Sequence, residues 1–155
     1  MIDVYCRWAA FREVVANVNK CVRGMVRRKR KKVNFQKHIG GGYYVTVKSE
    51  FQRVDIRRFY RDYDAEQSDD ENDYSTDPSV PSDTPVIKAT RQGVSLRVQD
   101  WADLWQLIDV VNGEFPDLAV SLPCYYGEDH NSQKDALRCS ECHPFTAGAM
   151  ACLMK

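Results

Sequence analysis

Charge is strongly segregated along this chain of 155 residues, although the formal net charge is zero. Residues 20–61 carry 14 basic and 2 acidic side chains, whereas residues 62–85 carry 9 acidic side chains and no basic one. Like charges repel and remain hydrated, so neither block can form the interior of a fold by itself. The basic block favours a polyanionic partner, and the acidic block favours a solvated segment.

The acidic block predicts a disordered insert over residues 62–85. It combines acidic side chains with Ser, Thr and Pro and contains few apolar residues. Burial of so little apolar surface cannot offset the conformational entropy that ordering would cost. We therefore expect folded structure on both sides of this insert.

Helical periodicity precedes a dense run of cations. Apolar residues recur at spacings of three and four between residues 2 and 25, which predicts an amphipathic N-terminal helix. Its apolar stripe consists of Phe11, Val14, Val15, Val18, Val22 and Met25. The cations that follow must stay solvated, and they form either a nuclear import signal or an arm that contacts phosphates. This basic arm consists of Arg27, Arg28, Lys29, Arg30, Lys31 and Lys32.

Strands are predicted after the basic arm, and a strand and a helix are predicted after the insert. Residues 34–39 are a short stretch that ends at three glycines, residues 43–48 are rich in β-branched and aromatic side chains, and residues 52–60 alternate between the two faces of a strand. Residues 93–96 read as a short fourth strand, and residues 100–111 have the apolar spacing of a helix. The expected fold class is α+β, a four-stranded antiparallel sheet followed by one helix (β-β-β-β-α).

This arrangement leaves one sheet face free. A single helix covers only one face of the sheet, so the other face, with Lys48, Arg53 and Arg57, is available to a ligand. The chain then divides into three parts. They are an N-terminal helix and basic arm (1–33), a sheet-and-helix domain (34–113) and a tail with Cys and His (114–155).

Four stretches of the middle part form a distinctive combination. They are Phe35-Gln36 to Gly40, then Tyr44-Val45-Thr46-Val47-Lys48, then Asp55-Ile56-Arg57-Arg58-Phe59-Tyr60, and last Lys88 to Leu96 with Trp101 five residues on. In this combination, residues 34–113 resemble the C-terminal domain of the positive coactivator family of RNA polymerase II (positive cofactor four). The resemblance implies a sheet that binds single-stranded or melted DNA without strict sequence preference.

The resemblance also implies roles for particular residues. It places backbone contacts at Lys48 and Arg57, an aromatic at Tyr60, and basic contacts at Lys88 and Arg91. It implies a homodimer formed through the second helix, with Trp101, Leu104, Trp105 and Ile108 as the dimer residues. Two departures, Gly41 and Gln92, stand where the family has lysines. The absence of these two lysines predicts weaker DNA binding with a flatter salt dependence.

The chemistry of the side chains agrees with this interpretation. Proteins that bind single strands combine a cationic groove with aromatic side chains on which bases stack. The candidate contact residues are Lys48, Phe51, Arg53, Arg57, Tyr60, Lys88, Arg91 and Gln92.

The tail carries a candidate metal site. Cys139 and Cys142 are separated by two residues, a spacing that suits tetrahedral zinc. Cys124 or His130 is expected to complete a site with His143, and the candidate ligands are Cys124, Cys139, Cys142 and His143. Two alternatives stay open: free cysteines without a metal, and attachment of a c-type haem at residues 139–143, which needs export and haem machinery.

Together these patterns predict a nuclear, homodimeric, non-enzymatic coactivator of RNA polymerase II, with transcription factors and the polymerase machinery as protein partners. No cofactor is expected to be required, with zinc in the tail as an option. A secretory signal is not expected, and no apolar run approaches the roughly 20 residues of a membrane span. The alternatives are a general single-strand-binding protein of replication, repair or a mobile element, and a protein-interaction module organised by zinc.

Overall fold

The computed structural model describes residues 2–27, 32–62, 86–127, 130 and 139–145. The elements in these residues are α1 (Ile2–Arg27), β1 (Asn34–Gly40), β2 (Tyr43–Lys48), β3 (Arg53–Arg61), β4 (Ile87–Arg97), α2 (Val98–Glu114), α3 (Pro116–Val120) and a 3₁₀ helix (Cys124–Tyr126). The predicted α+β class and the β-β-β-β-α order are confirmed. Among the helices described here, none is both long and apolar enough to cross a bilayer.

The predicted insert lies outside the described residues except for its first residue. Asp62 is buried, and its backbone N–H donates to the carbonyl of Val86 at 2.8 Å. Its carboxylate forms an ion pair with Lys88 of β4. Asp62 therefore belongs to the folded sheet rather than to the insert, which corrects the predicted boundary.

The four strands are antiparallel neighbours in the order β1-β2-β3-β4. Gly40, Gly41 and Gly42 form the β1–β2 turn with φ angles of 111°, 57° and 80°. Glycine adopts these angles without the steric cost that a Cβ would bring. A Cβ at position 41 would lie 2.5 Å from Nη2 of Arg7, so any larger residue there would displace the Arg7 guanidinium.

β4 has 11 residues and is much longer than the predicted strand over residues 93–96. Its register with β3 shifts between Arg57 and Phe59, because residues 90–92 form a bulge. A bulge interrupts the alternation by which a sequence reveals a strand. The first half of β4 is therefore defined by its pairing with β3 and not by its own pattern.

The hydrophobic core lies between one face of the sheet and the two long helices. All six apolar residues of the predicted α1 stripe are part of it. From the sheet, Val45, Val47 and Val54 are fully buried. Trp101 of α2 is 1% exposed and packs edge-on against Phe11 of α1, with 6.1 Å between the ring centroids. α1 is therefore an integral layer of the fold.

The chain that follows α2 returns to α1. Arg12 of α1 donates from Nη1 to the carbonyl of Ala119 and from Nη2 to the carbonyl of Ser121, both at 2.7 Å. Trp8 donates from Nε1 to Oδ1 of Asn112 at 3.0 Å. These bonds direct the segment after α2 toward the N-terminal half of α1.

Candidate nucleic-acid face and candidate metal centre

The sheet face opposite the helices is not covered by any described element and forms a groove of about 810 Å³, the sheet groove. Alternate residues of the strands and residues of the β2–β3 turn point into it. The lining consists of Gln36, Thr46, Lys48, Glu50, Phe51, Arg53, Asp55, Arg57, Phe59, Ala89 and Ser95. Three predicted cations and the predicted aromatic Phe51 are therefore brought together on one face.

Aromatic side chains flank the cations of the sheet groove. Phe51 is 66% exposed at the β2–β3 turn. Toward the other end of the strands, Phe59 packs against Tyr44 with 4.9 Å between ring centroids, and Tyr44 lies at the same centroid distance from His38. Tyr44 was not predicted as a contact residue, and the alternation of β2 places it on the same sheet face as Thr46 and Lys48.

The floor of the sheet groove contains a buried hydroxyl group. Thr46 is 9% exposed, and its Oγ1 has no hydrogen-bond partner among the described residues. An unsatisfied buried hydroxyl costs about 1–3 kcal/mol, and a ligand that forms the missing bond removes that cost. Because Oγ1 itself is buried, a ligand in the groove can bond to it only if the neighbouring side chains move.

Arg57 is held in the sheet groove by Asp55. Its Nε donates to Oδ2 of Asp55 at 2.8 Å, its Nη2 donates to Oδ1 at 3.0 Å, and its Nη1 donates to the carbonyl of Thr90 at 3.0 Å. The hydrogen bonds to Asp55 raise the pKa of Arg57. The sequence analysis missed Asp55, although the spacing of two residues places both side chains on one face of the strand. Its carboxylate competes with any phosphate for Arg57.

Four of the eight predicted contact residues do not line the sheet groove. Tyr60 and Lys88 are paired across β3 and β4, and the alternation of β3 places Tyr60 on the opposite sheet face. Arg91 and Gln92 are exposed in the β4 bulge. The structure therefore brings four of the eight candidate residues together in the sheet groove, and strand alternation and the bulge separate the other four from it.

The basic arm is described only at its ends. Arg27 lies in the last turn of α1. Lys32 forms an exposed ion pair of 3.8 Å with Glu50 of the β2–β3 turn. Arg28, Lys29, Arg30 and Lys31 lie outside the described residues, so the arm stays a prediction.

The residues predicted to form a dimer already have contacts within one chain. Trp101 and Ile108 are buried in the core, and Nε1 of Trp101 donates to Oδ1 of Asn19 at 2.7 Å. Leu104 packs against the same core, and Trp105 is 43% exposed. α1 occupies the side of α2 that carries Trp101, a contact that no spacing within α2 could reveal. Dimerisation itself stays a prediction.

Four side chains of the C-terminal segment form a candidate metal centre. The ligand atoms of Cys124, His130, Cys139 and Cys142 all lie within 4.8 Å of one another. Sγ of Cys124 is 3.0 Å from Sγ of Cys142 and 4.0 Å from Sγ of Cys139, and Sγ of Cys142 is 3.3 Å from Nε2 of His130. A zinc ion with bonds of 2.3 Å to sulfur has tetrahedral edges of about 3.8 Å. The donor set therefore fits a tetrahedral metal, and the 4.0 Å separation is close to this edge, whereas Cys124 and Cys142 would have to move apart by about 0.8 Å to bind zinc together.

His130, and not His143, is the imidazole of this cluster, which corrects the predicted ligand set. The N–H of His143 donates to the carbonyl of Cys139 at 2.9 Å, and this turn brings Cys139 and Cys142 together. His143 itself lines the neighbouring cavity of about 270 Å³ with His38. The sequence analysis chose His143, which directly follows Cys142, and only the path of the chain places His130 beside the thiols.

Burial affects the thiols of the candidate metal centre. It raises the pKa of Cys124, with further contributions from Cys142 and Cys139, and it raises the pKa of Cys142 to about 11. The thiols of Cys124 and Cys142 therefore resist ionisation when no cation is present. A bound divalent metal reverses this, because it deprotonates the thiols that coordinate it.

The candidate metal centre is attached to the rest of the fold through Glu141. This buried residue lies between two of the cysteines and accepts hydrogen bonds from Nε of Arg7 at 2.7 Å and from Nη2 of Arg7 at 2.5 Å. The carbonyl of Glu141 accepts from the N–H of Gly41 at 3.0 Å. Cys139 to Cys142 therefore contact both α1 and the β1–β2 turn. Arg7 and Glu141 had no sequence signal, because 134 residues separate them.

His38, which lines the cavity of about 270 Å³, is expected to make the stability of the fold depend on pH. Its Nε2 accepts the N–H of Gly42 at 3.1 Å, which requires a neutral ring. Burial, together with smaller contributions from the charges of His143, Lys37 and Arg7, lowers the pKa of His38 to about 4. Since the unfolded chain binds this proton near pH 6.5, stability is expected to fall as the pH decreases from about 6.5 to 4, by about 2 kcal/mol.

Urea unfolding at pH 7, 6, 5 and 4 measures this loss, with His38→Gln as the comparison. Glutamine can still accept the Gly42 N–H but does not titrate. A loss of equal size in both proteins would show that other groups cause it.

No protein-family model, curated protein or solved structure matches this chain.

Proposed function

We propose that this protein binds single-stranded or melted DNA in the sheet groove and has no enzymatic activity. The observation that carries the proposal is the concave face that combines Lys48, Arg53 and Arg57 with Phe51 and with an unsatisfied hydroxyl in its floor. A sheet face needs no such cations for stability. Phosphates pair with the cations and unstacked bases pack on the aromatic rings, with about 1–3 kcal/mol for each stacked base.

The test is fluorescence anisotropy of a labelled single strand and of the matched duplex across a salt series. Lys48→Gln/Arg57→Gln is expected to weaken single-strand binding at least about tenfold and to lower the salt slope by about 1.4, since each lost contact contributes about 0.7. The matched control is Lys37→Gln/Arg58→Gln, which removes one Lys and one Arg that are exposed outside the groove. Equal losses in the two variants, or no preference for the single strand, would contradict the proposal.

A second prediction concerns the carboxylate inside the groove. Asp55→Asn is expected to strengthen single-strand binding about 3–10-fold, because it removes a negative charge and frees Arg57 for phosphate. The comparison is Asp109→Asn on the exposed surface of α2, which changes the net charge equally. Equal gains from both substitutions would indicate a general field effect, and weaker binding by Asp55→Asn would indicate that Asp55 positions Arg57.

Zinc is the metal that we propose for the candidate metal centre, with a structural role. Three thiols and one imidazole occupy all four tetrahedral positions, and structural zinc sites are closed in this way. The ligands would be Cys124, His130, Cys139 and Cys142. A bound zinc ion would join Cys124 and His130 to the turn that carries Cys139 and Cys142. The residues of this turn then hold Arg7 through Glu141.

The resemblance of residues 34–113 supports a role as a coactivator of RNA polymerase II in the nucleus, with transcription factors as protein partners. Co-precipitation with general transcription factors, compared with replication and repair factors, separates this role from that of a general single-strand-binding protein. A homodimer would need the exposed apolar side chains of α2, such as Leu107 and Val110, since Trp101 and Ile108 are buried within one chain. Light scattering across a concentration series tests the dimer.

The competing candidate is a protein-interaction module organised by zinc. The cluster of Cys and His ligands favours it, but this cluster leaves the cationic sheet groove without a role. Absence of DNA binding together with one bound zinc per chain would favour this alternative.

A further inference from the structure

A second cationic groove lies on the helical side of the fold. It has a volume of about 860 Å³ and is bounded by the C-terminal half of α1, by α2 and by the start of β1. Lys20, Arg23 and Arg27 line it at spacings of three and four residues, which places them along one side of α1. All three are exposed. We call this surface the helical groove.

An exposed tryptophan faces these cations. Trp105 of α2 lines the helical groove and is 43% exposed, whereas Trp101, one turn earlier, is buried. The guanidinium of Arg23 lies over the Trp105 ring at 5.7 Å from the ring centroid. An accessible indole beside a guanidinium is the combination on which nucleic-acid bases stack in single-strand-binding proteins.

The cations of the helical groove are not neutralised by the described residues. No carboxylate in the described part of the chain forms an ion pair with Lys20, Arg23 or Arg27. Lys32 is the cation of the basic arm for which a pair is described, and that exposed contact of 3.8 Å is weak. A positive surface of this kind attracts a polyanion.

The helical groove also adjoins the sheet groove. Val33 lines the helical groove, and its N–H donates to Oγ of Ser49 at 3.1 Å while its carbonyl accepts the N–H of Ser49 at 3.0 Å. Ser49 belongs to the β2–β3 turn that carries Phe51 of the sheet groove. Among the described residues, this turn and Lys32 lie between the two cationic surfaces.

We propose that the helical groove is a second site for the same nucleic-acid strand, which passes from the sheet groove over the β2–β3 turn to Lys20, Arg23 and Trp105. This inference rests on the proposed function of the sheet groove. It predicts that a short strand occupies the sheet groove alone, whereas a longer strand also reaches the helical groove. Affinity and salt dependence then increase with strand length beyond the sheet groove.

The test compares strands of about 6 and about 18 nucleotides, one near the lower end of the usual site sizes of small single-strand-binding domains and one beyond their upper end. Lys20→Gln/Arg23→Gln is expected to weaken binding of the long strand at least about tenfold and to lower its salt slope by about 1.4, with the short strand unaffected. Lys37→Gln/Arg58→Gln, with the same change in charge, is expected to bind both strands as the unmodified protein does. The long strand, and not the short one, is also expected to quench tryptophan fluorescence, and Trp105→Phe is expected to remove this quenching.

The outcomes separate the two proposals. If the unmodified protein does not bind the short strand, the proposed function of the sheet groove fails. If it binds the short strand but Lys20→Gln/Arg23→Gln leaves the long strand unaffected, or weakens both strands equally, the second site is overturned alone. If the substitutions do not change binding of the long strand, the helical groove would instead bind another polyanion, such as an acidic polypeptide.

Discussion

Cys142→Ser is expected to abolish stoichiometric zinc binding and to lower the free energy of unfolding by about 3–4 kcal/mol at free zinc concentrations of about 100–1,000 times the Kd. Cys142 is the central ligand of the cluster, since its Sγ lies within 3.3 Å of both Cys124 Sγ and His130 Nε2. Serine is a poor ligand for zinc, and three remaining ligands no longer close the tetrahedral site. Metal analysis of the purified protein and urea unfolding, with and without a chelator, measure the two effects.

The sheet and the long helices are expected to stay folded in this variant, because every residue of the hydrophobic core lies between residues 10 and 108. The matched control is Cys21→Ser, which removes a half-buried thiol of α1 outside the cluster. A chelator is expected to lower the stability of the unmodified protein and of Cys21→Ser but not that of Cys142→Ser. Unchanged zinc content in Cys142→Ser would contradict the assigned ligand set.

Trp101→Ala is expected to destabilise the fold by about 3–5 kcal/mol, enough to unfold much of a marginally stable domain. Trp101 is 1% exposed, packs against Phe11, and donates a hydrogen bond of 2.7 Å to Asn19. Alanine leaves a large cavity between α1 and α2 and removes the donor for Asn19. Chemical denaturation at several protein concentrations measures the loss.

Protein concentration is the decisive variable in this experiment. If Trp101 served a dimer interface, its loss would shift the association equilibrium, and the apparent stability would depend on concentration. The structure predicts a loss that does not depend on concentration, because the contacts of Trp101 lie within one chain. Trp101→Phe keeps most of the buried area but loses the bond to Asn19, so we expect a smaller loss of about 1–2 kcal/mol.

α1 contacts the candidate metal centre, the chain after α2 and the helical groove. Arg7 near its start holds Glu141 of the metal-binding segment, Arg12 holds the chain after α2, and Lys20 and Arg23 line the helical groove. One helix therefore joins the C-terminal segment, the core and a candidate binding surface. Loss of zinc is thus expected to loosen the N-terminal half of α1 more than its C-terminal half.

Local pattern was sufficient for much of the fold. The stripe from Phe11 to Met25 identified α1, the β-branched runs identified β1 to β3, and the three glycines identified the turn between β1 and β2. These features depend on side-chain periodicity and on backbone freedom, which are properties of neighbouring residues. The segregation of charge likewise indicated a polyanion-binding face and a solvated insert.

Contacts between distant residues decided the rest. The choice of His130 over His143, the Arg7–Glu141 pair and the burial of Trp101 by α1 each join residues far apart in sequence. The bulge in β4 separated Arg91 and Gln92 from the sheet groove, and strand alternation separated Tyr60 and Lys88. A sequence alone therefore determined which elements form and which chemistry they carry. Only the tertiary structure decided which of those side chains share a surface, because packing brings together what the chain keeps apart.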